Sequence, residues 1–457
     1  MNQLYYANQQ IESKALFYDQ ISNQIPYRDL KKRAILPSKM FIIKEELKHF
    51  ASANPTKAIY NASQGDGGLS LGGIPPKDLA AALIRYLPSH GSTKYGDPIG
   101  RIDIREAIMQ NYYGFDSLTA DNIIVGDGGR DLLQKWYQLL QYSNQNTGGS
   151  LIVSAAPWGS YMQGTYLNGL NTLLAPGSAN QGFRITPEGI DTCIALGQQS
   201  NKPVVGLVIT SPDNPTGNYI AMNEIKSLIQ HAVSRGIRYI LLDFMYQAVT
   251  DPGISLYDCN GLINSLSPEE RNTIFILDGL TKSVGGSNLR NCHLVFGNKE
   301  HMTPLKGLST HSVLPNALGE AAALEVYGRP DPTSHPWMQK VVQATAQSRS
   351  IMKQELTKHG FRFIIGQGYY AFINIWPWLG KRLPDNLAFT DKITGRTIDN
   401  ISSVHDLKSY MTQKWGLAIV PGSFFHQPHF IRFSYANAPD YTKGSIDRFH
   451  EGLSALI

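Results

Sequence analysis

Short, solid apolar runs recur through the middle of the chain, at residues 123–125, 151–155, 204–210, 237–243, 273–278 and 293–296. A strand without alternation of apolar and polar residues is buried on both faces, as the strands of a parallel sheet are. Helical stripes lie between the runs. Leu132, Leu133, Trp136, Leu139 and Leu140 share one face of a helix over 131–142; Ile225, Leu228, Ile229, Ala232 and Val233 share the face of another, which stops at Gly236. Strands alternating with helices make βαβ units. The expected class is therefore α/β, with a large, mostly parallel-sheet domain sandwiched by helices.

Open sheets of this kind bind ligands beyond the carboxyl ends of their strands. Here those ends carry Gly128, Trp158, Asn214, Asp243 and Lys282. Gly126-Asp-Gly-Gly129 opens a helix, whose N-terminal N–H groups suit an anion, although a plain strand-to-helix connection also favours glycine. Lys282 follows an apolar run and sits in a loop of small and polar residues, with Arg290 further along. Such a lysine forms a Schiff base with an aldehyde when its surroundings lower its pKa. Such an arginine holds a phosphate through two parallel hydrogen bonds. An aldehyde and a phosphate in one ligand describe pyridoxal 5′-phosphate. Asp243, which could instead cap the next helix, would keep the ring nitrogen of that ligand protonated. Tyr246 and Asn214 are candidate donors to its ring oxygen, and Trp158 would stack on its face. Arg432, in Phe430-Ile-Arg-Phe-Ser434, lies between apolar neighbours on a strand. Burying it there is costly unless it meets an anion, either a substrate carboxylate or a structural partner.

A chain of 457 residues exceeds one hydrophobic core, so two or three domains are expected. Residues 1–58 are polar and tyrosine-rich and read as an arm packed on the body or on a partner subunit, with a short helix near 42–50. Glycines at 65, 67, 68, 72 and 73 mark a loop of close backbone approach. Helices are predicted over 78–86 and 102–113, flanking a second turn-rich loop, Tyr95-Gly-Asp-Pro-Ile-Gly100. Residues 59–330 form the large domain, whose first part contributes to the smaller one. Residues 331–457 read as an α+β domain, with a long polar helix at 337–359 and half-buried antiparallel strands at 368–376 and 430–435. Residues 377–403 read as a polar surface insertion. Tyr5, Tyr6, Tyr369 and Tyr370 hint at an aromatic-lined pocket.

The net charge is +5, but no basic cluster exceeds Lys31-Lys-Arg33, so a nucleic-acid surface is not expected. No basic segment precedes an apolar core at the N-terminus, and no apolar run nears the ~18 residues of a membrane helix. Three cysteines, Cys193, Cys259 and Cys292, form no CxxC pair, which argues against a disulfide framework or a zinc site. A reducing cytoplasm is the expected home.

The motifs together resemble the class I/II aminotransferases, fold type I pyridoxal phosphate enzymes. Ser211-Pro-Asp-Asn-Pro-Thr-Gly217, Asp243-Phe-Met-Tyr246, Lys282 with Arg290, Gly416-Leu-Ala-Ile-Val-Pro-Gly-Ser423 and Arg432-Phe-Ser434 stand in the family's order. The resemblance runs from about residue 59 to the C-terminus. It implies that Lys282 is the Schiff-base lysine and proton shuttle, that Asp243 pairs the pyridinium, and that Asn214 and Tyr246 bind the ring oxygen. It also implies that Gly128, Gly129 and Arg290 hold the phosphate, that Trp158 stacks on the ring, and that Gly65 and Arg432 take the substrate carboxylate. The Tyr95 loop resembles the segment that reaches the phosphate of a neighbouring subunit, so a homodimer with shared active sites is implied. Two departures stand out. Gly279 replaces a serine that would give the phosphate a hydroxyl, and Arg130 stands where a small or hydroxyl residue is common, either adding a phosphate contact or facing solvent. The implied activity is transfer of an amino group from an α-amino acid to a 2-oxo acid. A pyridoxal phosphate enzyme of elimination, replacement, cyclisation or oxidation chemistry would carry the same motifs. A non-catalytic binding protein would not need Lys282, Asp243 and Arg432 together.

Overall fold

The computed structural model describes residues 4–5, 12–13, 16–18 and 39–457, except 92–93 and 145–147. The strands that matter for the site are, in chain order, β1 (Leu4–Tyr5), β2 (Leu16–Tyr18), β3 (Ile123–Gly126), β4 (Ser150–Val153), β5 (Asn171–Leu174), β6 (Val204–Thr210), β7 (Tyr239–Asp243), β8 (Ile274–Gly279), β9 (Cys292–Phe296), β10 (Arg362–Ile365), β11 (Tyr370–Asn374), β12 (Val420–Pro421) and β13 (Phe430–Ser434).

The large sheet has the order β2-β5-β4-β6-β7-β8-β9-β3. The run β5-β4-β6-β7-β8 is parallel throughout; β9 runs against both β8 and β3, and β2 runs against β5. Their unbroken apolar sequences follow from burial on both faces. One face packs Ile274, Ile276, Ile240 and Leu242 against a core containing Ile225, Leu228 and Tyr327. The other packs Phe275, Leu277 and Leu241 against Leu132, Leu133, Trp136, Leu139 and Leu140 of the helix Gly129–Ser143, which we call α1.

The second sheet, β1-β10-β11-β13-β12, is antiparallel throughout. Its core joins Phe361, Phe363, Ile373, Ile431 and Phe433 to Tyr410, Met411 and Phe449. The helix Pro336–Lys358, α2, spans both bodies. Trp337 and Met338 near its start pack into a core of the large sheet, while Met352 and Leu356 near its end pack into the smaller one.

Several local expectations change. The strands at 370–374 and 430–434 are buried on both faces, not half-buried, because Asn374, Arg432 and Ser434 turn into the protein interior rather than to water. The helix predicted over 102–113 is α-helical only at Ile102–Ala107 and continues as one π turn, Ile108–Tyr112. The Tyr112 hydroxyl donates to Asp278 Oδ2 at 2.8 Å and the Tyr113 hydroxyl lies 2.9 Å from His293 Nε2, contacts that helical periodicity cannot foretell. The short helix expected at 42–50 extends over Lys39–Ala53. The 377–403 segment is no plain polar loop. It holds the two-stranded ribbon Phe389–Thr390 with Thr397–Ile398 and buries Leu383, Ile398 and Ile401. Of the N-terminal arm, β1 and β2 extend an edge of each sheet, and the remainder before residue 39, apart from residues 12–13, lies outside the described residues. No helix among the described residues is long and apolar enough to cross a membrane.

Trp136 has no solvent exposure and fills the space between α1 and Phe275 of β8. Trp136→Ala should lower stability by about 3–5 kcal/mol, read as a lower denaturant midpoint at unchanged slope.

Candidate active site

β7 ends at Asp243, whose side chain is buried. Its carboxylate accepts from the Tyr161 hydroxyl at 2.6 Å and from the Met245 backbone N–H at 3.1 Å. Burial pushes its pKa up, and these two hydrogen bonds pull it back. A cation brought against Asp243 would keep it ionised. β8, the next strand, runs into the single turn Leu280–Ser283, which carries Lys282. Lys282 Nζ donates to the Gly65 carbonyl at 2.5 Å and lies 5.7 Å from the Tyr246 ring centroid and 6.0 Å from that of Tyr369. The lysine and the aspartate thus leave adjacent parallel strands at the same end.

The turn after β3 supplies an anion cradle. Gly128 has φ 87°, and a Cβ there would run into the Arg290 guanidinium, 3.0 Å from Nη1. Arg290 donates to two backbone carbonyls, Ser287 O and Asp127 O, both at 3.1 Å. Arg130, the second residue of α1, has an exposed side chain whose Cζ lies 5.7 Å from the Trp158 ring centroid. Burial of part of the group and the nearby Arg290 charge lower its pKa. Two guanidinium groups near a helix N-terminus are groups that could hold a doubly charged anion.

At the far side sits Arg432, 5% exposed. Its Nη1 donates to Asn214 Oδ1 at 2.9 Å and its Nη2 to the Ser63 carbonyl at 2.7 Å. Its Nε is buried without a hydrogen-bond partner. Its guanidinium lies 4.2 Å from the Tyr370 ring centroid and 5.2 Å from that of Phe425. Neutral oxygens and aromatic rings do not compensate a buried positive charge, so the arrangement suits a carboxylate.

The sequence-predicted residues form a connected set. Gly129 faces Met245 beside Asp243, and Trp158 packs edge-on against Tyr161, the partner of Asp243. Gly65 joins Lys282 to Tyr370, which in turn reaches Tyr246 and Arg432. Tyr95 stands apart, 95% exposed. Sequence reasoning missed Tyr161 and the Ser63 carbonyl. Tyr161 follows Trp158 by one helical turn, which is the only signal it left. Tyr369 and Tyr370, noted as pocket-lining, enter the site: the Tyr369 hydroxyl donates to the Lys282 carbonyl at 2.7 Å. Tyr5 lies on β1, and Tyr6 lies outside the described residues.

Gly279 has a steric explanation. A Cβ there would stand 2.5 Å from Cys292 Cα and 2.7 Å from the Asn291 carbonyl oxygen, at the start of the adjacent strand β9. Thr281 directs its hydroxyl to Cys292 Sγ at 3.1 Å instead. Gly279→Ser should therefore destabilise the fold by about 1–3 kcal/mol through overpacking, seen as a lower thermal midpoint, rather than add a useful hydroxyl.

These residues suit a ligand with a phosphate, a carbonyl and a basic ring nitrogen, placed next to an amino acid carboxylate. A family model described as aminotransferase class I and II matches residues 61–444. The aspartate aminotransferase of Geobacillus stearothermophilus is 26% identical over 386 residues, covering 83% of this chain and 88% of that protein. The probable aspartate/prephenate aminotransferase of Aquifex aeolicus is 24% identical over 388 residues, with coverage of 83% and 88%. Among solved structures, the aspartate aminotransferase of Rhizobium meliloti superposes with a TM-score of 0.76 at 19% identity, covering 93% of this chain and 98% of that one. With a match over most of its length and the site geometry above, the chain belongs to the class I and II aminotransferases, enzymes that move amino groups.

Proposed function

We propose that the cleft binds pyridoxal 5′-phosphate and that the enzyme uses it to move an amino group from an α-amino acid to a 2-oxo acid. The observation that carries the reading is that Lys282 and buried Arg432, whose Nε lacks a partner among the described residues, are joined through Gly65 and Tyr370, and that Tyr370 also bonds Tyr246, three residues after buried Asp243. Once bound, the cofactor supplies an aldehyde for Lys282 and a ring that accepts the electron pair left on the substrate α carbon. The chain supplies everything else. Gly128, Gly129, Arg130 and Arg290 hold the phosphate. Asp243 keeps the ring nitrogen protonated, held in place by Tyr161. Asn214 and Tyr246 donate to the ring oxygen, and Trp158 covers one ring face. Gly65 and Arg432 hold the substrate carboxylate. Lys282, free once the substrate amine takes its place, would take up the substrate α proton and could return it two atoms along, at the carbon that had been the cofactor's aldehyde. Asp243 and Arg432 lie in an apolar body, so both charges act with little screening from water.

The relatives named for aspartate and prephenate make aspartate the first donor to test. Exposed Tyr95 supports a homodimer in which that residue serves the neighbouring site, and three buried, unpaired cysteines suit a cytoplasmic enzyme. Light scattering that gives a monomer of 50.6 kDa at full cofactor loading would rule the dimer out.

A half-reaction with donor and no acceptor tests the chemistry. One oxo acid should be released per site and the cofactor should be left as its amine. Release of ammonia, peroxide or a cyclised product would replace transamination by another reaction on the same scaffold. Arg432→Lys keeps the charge but loses the planar fork. It should cost about 2–4 kcal/mol in kcat/KM for the amino donor while cofactor binding persists.

A further inference from the structure

We infer that Tyr370 is a positioning residue for this reaction: its hydroxyl supports Tyr246 as a donor to the cofactor's ring oxygen, and its ring holds Arg432 for the substrate carboxylate. The inference rests on the function proposed above and adds a residue that the motifs do not contain.

Tyr370 opens β11, directly after Gly368 at φ 77° and Tyr369. It is 3% exposed. In the sheet register Phe372 faces Arg432, and Tyr370 faces Ser434. Residues two apart on a strand share a face, so Tyr370 and Arg432 meet diagonally across the β11–β13 pair. The result is the 4.2 Å stack of guanidinium on phenol ring. The hydroxyl end of the same ring is pressed against Gly65, where a Cβ would stand 2.6 Å from Tyr370 Cζ. Tyr370 is thus wedged between the backbone that accepts Lys282 and the arginine at the substrate end.

Its hydroxyl lies 3.0 Å from that of Tyr246. A phenol carries one proton. If Tyr246 spends that proton on a ring oxygen, the bond between the two tyrosines must run the other way, with Tyr370 donating and Tyr246 accepting. Burial pushes the Tyr246 pKa up, so Tyr246 stays a neutral donor. A donor that itself accepts a hydrogen bond is polarised and donates more strongly. A stronger donor to the ring oxygen stabilises its anionic form and weakens the hold of the neighbouring Schiff-base nitrogen on its proton. Removing the Tyr370 hydroxyl should therefore raise the pKa of the Lys282 Schiff base, while the ring stack on Arg432 remains.

The test is a pH titration of the Schiff-base absorbance in substrate-free holoenzyme, with kcat and KM for aspartate measured alongside. Tyr370→Phe should move the midpoint up by about 0.3–1 pH unit and leave KM within about twofold. Tyr370→Leu should show the same upward shift and also raise KM by about tenfold, because Arg432 loses its stacking partner. If Tyr370→Leu does not fold, Tyr370→Phe still decides the hydroxyl's role. A Tyr370→Phe midpoint equal to wild type, under conditions where Tyr246→Phe shifts it, overturns the inference alone. A wild-type protein that forms no Schiff base at Lys282 overturns the proposed function together with it.

Discussion

The site is organised by ionic groups that the fold draws out of water without giving them ionic partners among the described residues. Among the described residues, Asp243 receives only neutral donors, and Arg432 meets only an amide oxygen, a carbonyl and two aromatic rings. Arg290, only half-buried, is spent on two carbonyls beside Gly128. Removing the Asp243 and Arg432 charges from water costs several kcal/mol each unless a counter-charge returns the energy. A ligand with a cationic ring nitrogen, a phosphate and an adjoining carboxylate would supply all three counter-charges at once. Their spacing along the cleft therefore acts as a description of what should bind.

Holding these charges apart requires two bodies to meet accurately. The large sheet contributes Asp243 and Lys282 from adjacent strand ends, and the antiparallel sheet contributes Tyr370 and Arg432. Buried Arg349, on α2, ties the two together. It donates to the carbonyls of Val249 and Gly368 at 3.0 and 3.1 Å and to the Tyr435 hydroxyl at 3.2 Å, and it pairs with Asp251. Gln367 adds a bond to Asp251 at 3.0 Å, and its backbone N–H donates to the Gly217 carbonyl at 2.7 Å. The loops bearing Asn214, Tyr246 and Tyr370 are thus pinned to one another a few residues from the groups that line the cleft.

Close packing also explains glycines that charge alone would leave unexplained. Gly65 leaves room for the Tyr370 ring, Gly67 for the Tyr369 hydroxyl, and Gly279 for the backbone of β9. Each removes a side chain where another element must approach the lysine segment. The same crowding lets Lys282 reach the Gly65 carbonyl and lets its own carbonyl accept from Tyr369.

The sequence by itself determined the parallel sheet, because strands buried on both faces cannot alternate and therefore show as solid apolar runs. It also determined Lys282, Asp243, Asn214, Arg290 and Arg432 as candidates, because each follows or interrupts an apolar run where a polar residue needs a reason. What it could not carry was any contact between residues far apart in the chain. Tyr161 on Asp243, Tyr370 on Tyr246 and Arg432, and the steric need for Gly279 all join segments separated by at least a dozen residues. The burial of both faces of β11 and β13, and the π turn that aims Tyr112 at Asp278, likewise depend on what packs against them. Local periodicity reports a residue's own element; which partner stands opposite is fixed only when the two sheets close on one another.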